Sequence, residues 1–145
     1  MKNVFLAEDD VDDQAFFTDA LKQITIPTKL TVSNDGLELM DNLETVSDPP
    51  PPHVIFLDLN MPYKNGFDCL KEIRENPRLK EIPVVIFSTS ANPDMIDKSY
   101  HEGANYYLCK PRSFPQLVKA VEKVLTLDLW KNQKISKEKF ILAVS

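Results

Sequence analysis

Five short apolar runs punctuate this chain, and each is followed by a stretch with helical character. The runs are Val4–Ala7, Leu30–Val32, Val54–Leu57, Val84–Phe87 and Tyr106–Cys109. Val4–Ala7, apolar throughout rather than alternating, reads as a strand buried on both faces. Val54–Leu57 is the best strand signal, and Leu30–Val32, interrupted by Thr31, is a second, weaker strand. Between and after them, apolar residues recur at helical spacing: Ala15, Phe16, Ala20 and Leu21; Leu37, Leu39, Met40 and Leu43; Phe67, Leu70 and Ile73; Leu117, Val118, Val121, Val124 and Leu125. Pro93 suits the first turn of the remaining helix. Each parallel strand pair needs a crossover, so strict alternation of strand and helix predicts an α/β fold: a doubly wound, five-stranded parallel sheet with five helices.

A chain of 145 residues has room for one such domain with a full core, and not for two. The expected division is a domain over 1–125 and a C-terminal extension over 126–145, with no separate effector domain. Trp130, Ile135, Phe140, Ile141 and Leu142 make the extension too apolar for a plain disordered tail, so it is expected to fold back or meet a partner. Pro49–Pro52 can only be loop, because proline removes a backbone donor and fixes φ. The net charge of -5 argues against broad nucleic-acid binding, which requires a basic face. The first apolar run is too short for a signal peptide, and no stretch approaches the ~20 apolar residues of a membrane span. Cys69 and Cys109 form no CxxC or Cys/His cluster, which points to free thiols in a reducing compartment. The expected location is the cytoplasm, away from membranes.

Ligands of open α/β sheets bind at the carboxyl ends of the strands. Here those ends carry Glu8-Asp9-Asp10, Asp58, Ser88-Thr89-Ser90 and Lys110-Pro111. Singly, Asp58 would be a cap or turn residue, Lys110 a solvated lysine, Ser88 a partner for nearby backbone and Tyr107 a half-buried aromatic. Together they converge on one crevice. Crowded carboxylates repel unless one is protonated or a cation sits among them, and hard oxygen ligands suit Mg2+. Asp9 and Asp58 are the natural direct ligands, with Glu8 acting through water and the backbone carbonyl of Asn60 adding a ligand. An Asp58 oxygen can then attack phosphorus, while Lys110 and the Ser88 hydroxyl meet the outer oxygens of the transferring group.

With these residues in view, the sequence resembles the receiver domains of two-component response regulators. The matching stretches are Val4–Asp10 (VFLAEDD), Val54–Gly66 (VIFLDLNMPYKNG), Ile82–Ser90 (IPVVIFSTS) and Gly103–Pro111 (GANYYLCKP). Ser88 and Lys110 follow Asp58 by thirty and fifty-two positions, the family's usual spacing. The resemblance implies a flavodoxin-like strand order of 2-1-3-4-5. It makes Asp58 the phosphoacceptor, Glu8 and Asp9 the acidic pair, Ser88 the switch hydroxyl, Lys110 the invariant lysine and Tyr107 the switch aromatic. It also implies Mg2+, a sensor histidine kinase as phosphoryl donor, and an output through a downstream protein or a histidine phosphotransfer protein. The stretch Asn76–Pro83 followed by Phe87–Ser90 is similar to stand-alone receivers paired with bacteriophytochrome kinases, which suggests a phytochrome-type partner. The face of the fourth helix, fifth strand and fifth helix, with the Trp130 tail, is the expected surface for a homodimer or a recruited partner. Such a chain is a signalling phosphoacceptor that assists its own phosphorylation and dephosphorylation, rather than an enzyme.

Three other readings fit less well. An FMN-binding protein of this fold needs a Gly/Ser/Thr-rich loop after strand one to approach phosphate, where this chain has Glu8-Asp9-Asp10-Val11-Asp12-Asp13. A phosphohydrolase with an aspartyl nucleophile wants a general acid two residues on, where Asn60 stands. A pure scaffold has no need of the whole set of site residues.

Overall fold

The computed structural model describes residues 1–45, 51–129 and 135–142. The elements run β1 (Lys2–Ala7), α1 (Val11–Gln23), β2 (Thr28–Ser33), α2 (Gly36–Thr45), β3 (Val54–Leu57), α3 (Gly66–Glu75), β4 (Val84–Ser88), α4 (Pro93–His101), β5 (Tyr106–Cys109), α5 (Phe114–Thr126) and α6 (Lys137–Phe140). The five strands form one sheet, all pairs parallel, in the order β2-β1-β3-β4-β5. This is the expected doubly wound architecture. The additional helix α6 is four residues long, too short to leave a periodic signal in sequence.

Successive side chains on a strand point to opposite faces, and the buried strands divide accordingly. Phe5, Ala7, Ile55, Leu57, Val84, Ile86 and Tyr107 face one core with Leu39, Leu43, Leu70, Ile73 and Ile96 from α2, α3 and α4. Val4, Leu6, Val54, Phe56, Val85, Phe87 and Leu108 face the other, against Phe17, Ala20 and Leu21 of α1 and Leu117, Val121 and Val124 of α5. Phe17, Phe56 and Phe87 meet edge to face in this second core, with centroids 4.9, 5.8 and 6.1 Å apart, a geometry favoured by the ring quadrupoles. Arg74 of α3 clamps the far end of the first core. It donates to the carbonyls of Gly103, Lys80 and Ile82 and to Asn105 Oδ1, at 2.7–3.1 Å.

Two local expectations are corrected. The buried face of α1 is Phe17, Ala20 and Leu21, while Ala15 and Phe16 are exposed. Asp10 caps the helix and sets its phase, and two adjacent phenylalanines left periodicity alone unable to choose between them. Leu37 of α2 is also exposed, with Leu39, Met40 and Leu43 carrying the buried face. The extension does fold back at residues 135–142, where Ile141 pairs in parallel with Tyr107 and Phe140 is fully buried. Trp130, Pro49 and Pro50 lie outside the described residues. Among the described residues no helix is long and apolar enough to cross a membrane.

Candidate functional site

A parallel sheet aligns the carboxyl ends of its strands along one edge, and the polar residues of the sequence gather there. Glu8 and Asp9 follow β1, Asp58 follows β3, Ser88 closes β4 and Lys110 follows β5. Backbone bonds carry the ladder one step further, from Asp58 N–H to Ala7 O at 3.1 Å and from Lys110 N–H to Ser88 O at 2.8 Å. Asp10 starts α1 by accepting the N–H of Asp13 on its carboxylate at 3.0 Å, which turns the chain away directly after the acidic pair. The loop after β3 doubles back so closely that a Cβ on Gly66 would lie 2.5 Å from the Asp58 carbonyl oxygen. Only glycine permits that approach.

One oxygen from each of Glu8, Asp9 and Asp58 lies within 4.8 Å of the others. Glu8 and Asp58 are buried and Asp9 is exposed, so the cluster opens to solvent on one side. Asn60 donates its backbone N–H to Asp58 Oδ1 at 3.1 Å, and Asp10 donates its own to Glu8 Oε2 at 3.2 Å. Lys110 Nζ pairs with Glu8, lies 3.2 Å from Asp58 Oδ2 and 3.0 Å from Asp13 Oδ2. Burial, reinforced by Asp58, pushes the Glu8 carboxyl up to about 8 although Lys110 acts against the shift. Burial would lower the Lys110 pKa, but hydrogen bonds and charge from Glu8, Asp13 and Asp58 outweigh it and the net direction is upward. One ammonium facing so many carboxylates leaves negative charge over, and the donor set fits a divalent cation.

Ser88 is fully buried, and its Oγ accepts the N–H of Ser90 at 3.1 Å. Tyr107 is also fully buried and donates its hydroxyl to Ser90 O at 2.7 Å. Burial pushes this phenol up, with hydrogen bonding from Ser88 opposing. The structure thus brings Glu8, Asp9, Asp58 and Lys110 into one group, joins Asn60 to it through the backbone, and connects Ser88 to Tyr107 by way of Ser90. Asp13 is the participant that sequence reasoning passed over as part of a repelling loop. Its position three residues after the helix cap Asp10, in the first turn of α1, was the available signal.

With this geometry in hand, comparison with known proteins is specific. The family model for the response regulator receiver domain matches residues 4–122. Response regulator Rcp1 of Synechocystis is 40% identical over 126 residues, covering 85% of this chain and 86% of its own. The crystal structure of the phosphorylated cyanobacterial phytochrome response regulator RcpA has a TM-score of 0.77 at 38% identity, with 85% of this chain and 90% of that one covered. The Mn2+-bound form of Rcp1 also gives 0.77, at 37% identity, over 94% of this chain and all of the other.

Proposed function

The chain belongs to the response regulator receiver family of two-component systems, and from that premise we propose that it accepts a phosphoryl group on Asp58 from a sensor histidine kinase. The observation that carries this reading is the single cluster in which Asp58 stands 3.2 Å from Lys110 Nζ and within 4.8 Å of Glu8 and Asp9 oxygens. We take residues 1–125 as the receiver body and 126–145 as its extension.

Asp9 and Asp58 would hold Mg2+ directly, Glu8 through water and Asn60 through its carbonyl. The divalent ion would offset charge on the transferring group, leaving the rest of the work to the chain. The Asn60 N–H fixes the Asp58 carboxylate by one oxygen. A P–O bond to Asp58 forms as the P–N bond to the kinase histidine breaks, and its electron pair returns to the imidazole. Lys110, already held over Asp58 by Glu8 and Asp13, meets an outer oxygen of the incoming group. Ser88 meets another by turning its hydroxyl toward Asp58. Phosphorylation adds about -1.5 to -2 charges and strong acceptors, so Lys110 and Ser88 are the residues most strongly drawn to the modified site, and the Tyr107 ring occupies the space that Ser88 vacates.

Several findings support the finer points. Rcp1 has a Mn2+-bound form, in keeping with a divalent ion here. RcpA is a phytochrome response regulator with a phosphorylated form, which favours a phytochrome-type kinase as partner. The output is a downstream protein or a histidine phosphotransfer protein, through a homodimer or a recruited partner, and the setting is the cytoplasm. The chain stores a signal and assists its own phosphorylation and dephosphorylation, so we do not class it as an enzyme. Incubation with acetyl phosphate and Mg2+ tests the reading: wild type takes up phosphate, and Asp58→Asn does not. Equal labelling of the two would refute it.

A further inference from the structure

The strand β5 ends the sheet, and an edge strand presents free backbone groups that natural proteins cover. Here the chain covers its own edge. Ile141 pairs in parallel with Tyr107, and Leu142 donates its N–H to the Tyr107 carbonyl at 2.9 Å. Phe140 is fully buried, with its ring centroid 5.1 Å from Tyr100 and 6.4 Å from Tyr107. Tyr100 of α4 donates its hydroxyl to Ile135 O at 2.7 Å, and Lys137 pairs with Asp97 of the same helix. Residues 135–142 are therefore fastened to both α4 and β5.

Tyr107 is the residue common to this fastening and to the site. Its carbonyl receives Leu142, its ring is walled by Phe140, and its hydroxyl reaches Ser90, whose N–H in turn bonds Ser88 Oγ. The ring is wholly enclosed, and close-packed interiors do not deform continuously. A displacement of Tyr107 toward the surface of α4 and β5 therefore requires Phe140 to leave. We propose that residues 135–142 form a built-in strap that locks Tyr107 in its enclosed position and so favours the state in which Asp58 is phosphorylated. The inference rests on the phosphoacceptor reading of Asp58. Its sign comes from the proposed switch, in which a Ser88 hydroxyl drawn toward Asp58 makes room for the Tyr107 ring to stay enclosed, and the enclosed position is the one the strap holds. Coupling between sites is reciprocal, so phosphorylation tightens the strap and the strap promotes phosphorylation.

Hydrogen exchange of the Leu142 amide, followed on the full chain with acetyl phosphate and Mg2+, reads the coupling, while phosphate incorporation is measured on the same samples. Phosphorylation is expected to slow exchange at least about fivefold, the lower end of ordinary coupling between sites. Phe140→Ala is expected to lower the rate of phosphate uptake by a similar factor. Phosphate taken up with unchanged or faster exchange overturns the strap and leaves the Asp58 reading standing. No uptake by wild type sinks the Asp58 reading itself; where wild type takes up phosphate, Tyr107→Phe decides the link, since faster Leu142 exchange supports it and unchanged exchange removes it. Protection that disappears on dilution would mean that the segment binds a second copy, and would overturn a strap within one chain.

Discussion

The two cores on either side of the sheet are built differently. Beneath α1 and α5 the packing is closed by the Phe17–Phe56–Phe87 triad, whose rings touch one another and, among the described residues, meet the site only where Lys110 Nζ lies 5.5 Å from the Phe87 centroid. Beneath α2, α3 and α4 the packing includes Tyr107 and Phe140, and through Ser90 it reaches the crevice that holds Asp58. The contrast teaches where a charge added at the strand ends can be felt. One core serves as a fixed platform, and the other has a polar connection to the site and a segment fastened on its edge.

The largest expected effect breaks the platform alone. Phe56→Ala removes a fully buried ring at a cost of about 3–5 kcal/mol, measured by urea denaturation. Because Phe56 and Tyr107 belong to opposite cores, phosphate uptake by the fraction that stays folded should change less than it does in Tyr107→Phe. A large loss of uptake per folded molecule would blur the division between the cores.

Next in size is the pH dependence set by Glu8. Its pKa is raised from 4.5 to about 8 in the folded protein, so the folded state binds more protons than the unfolded one between those values. Its contribution to stability is complete below about 4.5 and is lost as pH rises toward about 8, by an amount on the order of a few kcal/mol. Thermal melts in a chelator should show wild type losing stability over this range relative to Glu8→Gln. Ligands must be deprotonated to hold a cation, so Mg2+ should restore more stability at the alkaline end than at the acid end. Parallel curves for the two proteins would contradict the assignment of Glu8.

The smallest effect on stability is expected at Tyr107. Tyr107→Phe deletes the hydrogen bond to Ser90 O and keeps the ring, costing about 0.5–1.5 kcal/mol of stability. Its influence on phosphate uptake should nevertheless exceed that of Phe56→Ala. The reverse order would place the responsive core on the wrong face.

Most of this arrangement was legible in the sequence because parallel strands buried on both faces leave unbroken apolar runs: Val54–Leu57 and Tyr106–Cys109 coincide with β3 and β5. Alignment of strand ends then placed Glu8, Asp9, Asp58 and Lys110 together without further information. What was not legible depends on rotation and on tertiary docking. The choice between Phe16 and Phe17 rests on a helix phase set by Asp10. The pairing of Asp13 with Lys110 spans 97 positions and has no local signature. The seating of Phe140 against Tyr100 and Tyr107 follows from a bare sheet edge, which a linear pattern does not display.

Whether Asp58 is the residue that receives the phosphoryl group is decided by locating the modification. Wild type and Asp58→Asn would be treated with acetyl phosphate and Mg2+, the adduct reduced with borohydride, and the modified residue found by peptide mass spectrometry. One modified carboxylate, Asp58, is expected in wild type and none in the variant. Modification at Asp9 or Glu8, or undiminished labelling of Asp58→Asn, would contradict it.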